Sequence, residues 1–206
     1  MHSESYIHSY PYDWRTKQPV ILRGSKQWFV RTDKLREKAL EAVQGVKIQP
    51  ESALQGFRGT IERRPYWCIS RQRAWGTFIP VIYTLDGEPV VSEELLARCG
   101  STVLTRYDMF FHDRYQHLVD SHGASFWWTM ELSEILEGTS YSPSDFTRQG
   151  LDILDIWFDS GISWFAVLGR ERAPADLYLE GLDQFSGWFY SSLLTSIALT
   201  GNAPYK

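Results

Sequence analysis

From Leu151 onward the hydrophobic pattern switches twice between short apolar runs and helical spacing. Ile153 and Leu154 open an apolar run closed by a turn from Asp155 to Gly161, and a helical stretch follows. Asp176-Leu-Tyr-Leu-Glu180 repeats the run before a second turn, Gly181 to Gln184. The closing helix carries Phe185, Phe189, Leu193 and Ile197 at four-residue steps, with Trp188, Leu194 and Ala198 widening the stripe. So broad an apolar face predicts a helix packed on a sheet, and Gly201 is a suitable stop. Strand, turn and helix taken twice predict parallel strands with right-handed crossovers, hence an α/β domain. Open sheets usually hold more than two strands, so the chain is expected to be a piece of a longer protein.

Earlier segments read less regularly. Residues 1–16 form a polar and aromatic lead-in, and Pro19–Arg23 and Gln27–Val30 are expected short strands broken by Gly24-Ser25. Thr32 is placed to cap a helix to about Gln44, with Leu35, Ala39, Leu40 and Val43 on one face and Gly45 at its end. A second helix is expected from Ser52 to Glu62. Ile79–Leu85, Asp86-Gly87 and Pro89–Val91 predict a hairpin, Asp-Gly being a strong turn signal. A helix is expected over Met109–Ser121, closed by Gly123, and a Ser/Pro/Gly-rich loop over 138–150.

Composition changes this picture little. The 206 residues suffice for one or two domains, and 22% charged with 43% hydrophobic residues is ordinary for a globular chain. A net charge of −4 argues against a globally basic nucleic-acid binder, although a local basic face remains compatible with it. No run of about eighteen apolar residues exists to span a membrane. The two cysteines, Cys68 and Cys99, match no metal or disulfide spacing and read as reduced thiols. Nine Trp and eleven Tyr suit pockets, interfaces and plain cores alike.

Candidate chemistry concentrates on the two strand-to-helix turns, where an open α/β sheet binds ligands. One bears Trp157 beside Asp155 and Asp159; the other bears Glu180, Asp183 and Gln184 ahead of Trp188. Together they suggest one pocket for a small amphipathic ligand. The carboxylates also suit a plain helix cap, and Trp188 and Trp157 a plain core. Arg71, Arg73 and Trp75 suit either a nucleic acid, guanidinium on phosphate and indole under a base, or a solvated pair flanking structural aromatics. His112, His117 and His122 recur at five-residue steps and share no helical face. Asp152, Asp155 and Asp159 would scatter along a strand, so no metal site is expected there.

Four blocks carry a resemblance. They are His8-Ser-Tyr-Pro-Tyr-Asp-Trp-Arg15 through Lys26-Gln-Trp-Phe29, Arg64 through Gly76 with its Trp-Cys-Ile-Ser-Arg-Gln core, Asp155-Ile-Trp-Phe-Asp-Ser-Gly161, and Leu179-Glu-Gly-Leu-Asp-Gln184 with Gly187-Trp-Phe189. In order and spacing the chain resembles the isoleucyl-tRNA synthetases, of the Rossmann-type class of aminoacyl-tRNA synthetases. The opening block looks isoleucyl, while the second is shared with valyl and, in a variant, leucyl enzymes. Arg64-Pro-Tyr-Trp, Leu151 through Trp157 and the closing Ala-Pro-Tyr-Lys look closest to mitochondrial forms. The likeness implies a mitochondrial matrix location, with the cytoplasm as alternative.

The resemblance implies the C-terminal half of a Rossmann-type nucleotide-binding domain with a connective insertion. Residues 1–85 would return from the editing insert, 86–150 would be the connective insertion, and 151–206 the second half of the catalytic domain. Trp157 and Trp188 would wall the amino-acid side chain, and Gln184 would take the substrate ammonium on its amide oxygen. Glu180, Gly181 and Asp183 would hydrogen-bond the ribose of the aminoacyl-adenylate. No residue here would make or break a covalent bond, and none would hold a metal. Isoleucine, ATP with its Mg2+ and the acceptor end of tRNA(Ile) would be the partners of a monomeric intact enzyme.

The His-Ile-Gly-His and Lys-Met-Ser-Lys-Ser signatures of this class are absent, so the chain alone is not expected to make adenylate. Ser186 stands where many relatives carry arginine, and Phe78 where many carry proline. Three rival readings stay open: a valyl or leucyl relative; a carbohydrate-binding or hydrolysing domain using Glu180 and Asp183 as a carboxylate pair; and a tRNA-binding fragment without catalysis.

Overall fold

The computed structural model describes residues 4–100 and 118–206, and its core divides into two hydrophobic clusters. The first joins the beginning of the chain to its end. Helix α1 (Arg36–Gln44) buries Ala39 and Val43, and α2 (Leu54–Arg63) buries Phe57 and Ile61. Spacings of four residues place each pair on one helix face. Both join one cluster with Tyr190, Leu193, Leu194 and Ile197 of the C-terminal helix α9 (Trp188–Thr200). Phe57 and Phe185 stack with ring centres 4.8 Å apart. Helix α9 ends on Gly201, whose φ of 77° is the left-handed conformation its position predicted.

Thr32 does not cap α1. A 3-10 turn, Thr32–Lys34, precedes that helix, and the Thr32 hydroxyl instead donates to the Arg64 carbonyl at 2.7 Å. The residue is spent on tying the start of α1 to the end of α2. Strand β1 (Phe29–Val30) pairs antiparallel with β2 (Trp67–Cys68). The expected strand at 19–23 does not form; a single bridge between Tyr12 and Pro19 replaces it, and Ile21 and Leu22 lie exposed.

The second cluster draws on described residues between Phe78 and Phe146. After β3 (Ser70–Arg71), the hairpin of β4 (Ile82–Thr84) and β5 (Pro89–Val90) forms as its Asp-Gly turn predicts, Gly87 taking φ 81°. Helix α3 (Glu93–Cys99) is capped by Ser92, whose hydroxyl accepts from the Leu95 N–H at 3.1 Å. Helices α4 (Leu118–His122), α5 (Phe126–Thr129) and α6 (Leu132–Ile135) follow. Of the helix expected over 109–121, only the final residues are described; the rest, with His112 and His117, lies outside the described residues.

The loop expected over 138–150 holds strand β6 (Phe146–Gln149), which adds a third strand beside β4. Phe146 packs on the cluster. Gly150 approaches Val81 so closely that a Cβ there would stand 2.3 Å from a Val81 methyl. Phe78 lies at the centre, stacked on Trp127 at 4.8 Å and 6° and edge-on to Phe126 at 5.3 Å. The Trp127 indole N–H is satisfied by the Gly150 carbonyl at 2.7 Å.

Strand β7 (Ile153–Leu154) leads into α7 (Ile156–Gly161) and α8 (Ser163–Arg172). It pairs antiparallel with β3, Ser70 opposite Leu154 and Arg71 opposite Ile153, and not with a parallel neighbour at 176–180. Residues 176–180 form no strand, because the described residues give that stretch no ladder partner; Leu177 and Leu179 are exposed. The parallel contact comes one residue earlier and across α9. Ala175 bridges Tyr205, donating to the Pro204 carbonyl at 2.8 Å and accepting from the Lys206 N–H at 3.0 Å. The result is mixed helix and short strand, consistent with the α/β class.

The stacked Phe78 generates a prediction. Phe78→Ala should lower unfolding stability by about 3–5 kcal/mol, the usual cost of truncating a buried aromatic, whereas Tyr6→Ala at the exposed N-terminus should change it by less than about 0.5 kcal/mol. Urea denaturation followed by tryptophan fluorescence measures both.

Candidate functional site

The segment from Trp67 to Arg71 and the turn at 155–161 are bound together by one carboxylate. Asp155, 4% exposed, stands at the N-cap of α7, but its side chain makes no capping hydrogen bond there. Its Oδ2 accepts the Trp67 indole N–H at 2.9 Å and faces the Arg71 guanidinium at 3.1 Å. Its backbone N–H donates to the Ile69 carbonyl at 2.7 Å. A charge taken out of water needs such partners. Arg71 also donates to the carbonyls of Cys68 and Ser70. Of the three residues considered for nucleic-acid contact, Arg71 is thus committed internally, while Arg73 and Trp75 are exposed.

The three aspartates considered together each have a separate protein partner. Asp152 accepts from Gln72 at 3.1 Å and Asp159 from Thr77 at 2.9 Å, while Asp155 is held as above. Among the described residues, no group of three His, Cys, Asp or Glu side chains is arranged to hold a metal. Burial pushes the Asp159 carboxyl above the usual carboxylate range, with the Thr77 hydrogen bond opposing that shift and the neighbouring Asp155 charge adding to it.

The second turn is organised around Gln184. A 3-10 turn, Leu182–Phe185, leads to Gly187 and the first residue of α9. A helix N-terminus leaves its first N–H groups without intrahelical partners. Here the Gln184 amide oxygen takes the Trp188 N–H at 3.0 Å, and its amide nitrogen donates to Asp183 Oδ2 at 3.0 Å. The Asp183 carboxylate also folds back over Gly181, where an added Cβ would lie 2.5 Å from Oδ1. Trp188 stacks on Tyr178 with ring centres 4.1 Å apart and planes 9° apart. Its indole N–H donates to Ser163 at 3.0 Å.

The two turns meet. Trp157, 40% exposed, lays the far edge of its indole on Gly187: a Cβ at that position would stand 2.8 Å from Cη2 and 3.0 Å from Cζ3. One helical turn further on, Gly161 lies against Ser191 and its carbonyl accepts the Thr195 hydroxyl at 2.6 Å. Trp157, Gly181, Asp183, Gln184 and Trp188 therefore form one contiguous cluster. Glu180 adjoins it along the chain, exposed, and makes no described contact with the two tryptophans.

Of two nearby concavities, one touches the cluster only at Asp183, and the other is lined by none of the cluster's members. A shallow one of about 370 Å³ is lined by Asp183 and Ser186 together with Ser52 and Thr60. A cleft of about 2260 Å³ runs between the second hydrophobic cluster and the first turn, passing Arg73, Trp75, Asp155, Ile156 and Asp159. Sequence reasoning missed Tyr178, Ser163 and Gly187 as supports of the tryptophans. Gly187 lay in plain view within the Gly-Trp-Phe block; the other two carried no local signal.

A family model described as tRNA synthetases class I (I, L, M and V) matches residues 12–206. The chain belongs to that family. It is 46% identical over 209 residues to a protein of Ciona intestinalis called "Probable isoleucine--tRNA ligase, mitochondrial", covering 100% of this chain and 46% of that one. It is 45% identical over 210 residues to "Isoleucine--tRNA ligase, mitochondrial" of Gallus gallus, covering 98% of this chain and 19% of the other. An "Isoleucine--tRNA ligase" of Thermosynechococcus vestitus is 44% identical over 204 residues, again 98% of this chain and 20% of its own length. The chain thus spans from about a fifth to just under half of these relatives.

The two carboxylates at the ends of one helical turn should respond oppositely. Asp155→Asn removes the charge from hydrogen bonds worth about 1.5–3 kcal/mol and should lower stability by that order in urea titration. Asp159→Asn removes a group whose folded pKa is raised. Such a group contributes stability below its unfolded value that is lost as pH rises through the folded value. The variant should therefore melt above the parent at pH 7, and the difference should vanish on acidification past the ordinary aspartate value of 3.8, as thermal scans across pH will show.

Proposed function

We propose that the chain supplies one side of the catalytic domain of an isoleucine–tRNA ligase. In this reading residues 151–206 are the second half of a Rossmann-type fold, 86–150 a connective insertion and 1–85 the return from an editing insert. The observation that supports it is the contact of Trp157 with Gly187, which joins the two turns into one cluster in a chain 44–46% identical to proteins carrying that name.

Trp157 and Trp188 wall the isoleucine side chain, flat indoles gripping a branched aliphatic group. The Gln184 oxygen, already holding one helix N–H, offers its second lone pair to the substrate ammonium. Glu180, Gly181 and Asp183 bind the adenylate ribose, where carboxylates accept from a vicinal diol. In activation the substrate carboxylate attacks the α-phosphorus of ATP and pyrophosphate leaves. None of these side chains forms a bond to the substrate; their contribution is alignment and a prearranged polar surround. ATP arrives with Mg2+, which no residue of this chain is proposed to hold. The acceptor end of tRNA(Ile) is the second substrate, and the working enzyme is read as a monomer of the mitochondrial matrix, the cytoplasm being the alternative.

Isoleucine-dependent pyrophosphate exchange, with the family's flanking segments joined to both ends, tests this reading. Isoleucine should support exchange, valine should do so more weakly, and Glu180→Ala or Trp188→Ala should each cut the rate at least tenfold. Unchanged rates in both variants would remove the site from these residues.

A further inference from the structure

The two turns of the substrate cluster touch at one residue that binds nothing itself. Gly187 is buried between the indole of Trp157 and the carboxamide of Gln184, the positions assigned above to the aliphatic side chain and the ammonium of the amino acid. A Cβ at 187 would stand 2.8 Å from Trp157 Cη2, 3.0 Å from Cζ3 and 2.7 Å from Gln184 Oε1. Real Cβ atoms essentially never stand closer than 3.0 Å, and ordinary contact is 3.4–4 Å, so even one methyl requires its neighbours to give by a few tenths of an ångström. The two neighbours yield differently. Gln184 contributes the end of a jointed side chain, whereas Trp157 presents a rigid bicycle on a helix whose start is clamped by Asp155. Retreat of helix α7 as a whole would break the 2.6 Å hydrogen bond from the Thr195 hydroxyl to the Gly161 carbonyl a turn away.

We propose that Gly187 is a positioning residue for amino-acid selection: its missing side chain sets how far Trp157 can close, and so the size of aliphatic group the cluster accepts. The inference rests on the reading of Trp157 as a wall of the isoleucine site. A larger residue at 187 displaces that wall, in a site where isoleucine and valine differ by a single methylene.

The test is a double-mutant cycle in amino-acid-dependent pyrophosphate exchange, with flanking segments in place. Gly187→Ala should raise the KM for isoleucine at least tenfold, change the isoleucine-to-valine preference at least threefold and leave the KM for ATP within twofold. Trp157→Phe removes the indole edge that meets residue 187. In the W157F background, the added KM increase from G187A should be smaller by threefold or more. A smaller reduction means that residue 187 does not act through Trp157 and overturns the inference, as does an unchanged isoleucine-to-valine preference in G187A. Should G187A alone not fold, recovery of folding by W157F, read by circular dichroism, is the supporting result, and its failure the overturning one. An isoleucine KM unmoved by W157F itself would instead sink the assignment of Trp157 to the substrate.

Discussion

The carboxylate of Asp155 sits where water cannot compensate it, and much of the structure follows from how it is satisfied. Trp67 comes from β2, Arg71 from β3 and Asp155 from the start of α7, and their meeting fixes that helix relative to the segment 67–71. Buried ion pairs seldom add much net stability, since desolvation consumes most of the attraction. What they exact is geometry: the partners must arrive together, because either one alone is costly. Here that requirement orients the turn carrying Trp157.

A second constraint acts between helices. Where α7 and α8 cross α9 the seam is made of glycine and hydroxyl residues, and hydroxyl and indole donors bridge it. Ser163 takes the Trp188 indole N–H, Thr195 takes the Trp164 indole N–H at 3.1 Å, and Thr195 in turn donates to Gly161. Close approach and directional bonds together leave the two elements little freedom to slide. A binding surface made on such elements holds its shape before the ligand arrives, which lowers the ordering cost at binding.

Long-period features were legible in the sequence. The stripe of Phe185, Phe189, Leu193 and Ile197 and the Asp-Gly hairpin follow from periodicities that local chemistry enforces. What escaped reading was pairing between short, distant segments. Strands β3 and β7 are two residues each, and Arg71 finds Ile153 far along the chain, with no hydrophobic alternation long enough to announce the pairing. Thr32 and Gln184 show a related limit. Each carries a polar side chain with several possible uses, and only the fold decides that Thr32 serves Arg64 while Gln184 serves the first N–H of α9. The same indeterminacy hid Arg71, whose guanidinium reads as surface until Asp155 appears beside it. The family blocks contain most members of the cluster, but gave no sign of Tyr178 and Gly187 as its supports.

The pairing of Ser70 with Leu154 and Arg71 with Ile153 makes a staple at the neck of a long excursion. Everything between those residues leaves and returns through one doorway. Lengthening a chain whose ends are already pinned is cheap, about 0.6 kcal/mol for each doubling. Evolution can therefore enlarge, trim or redecorate the region beyond the neck while the two turns on the near side keep their spacing.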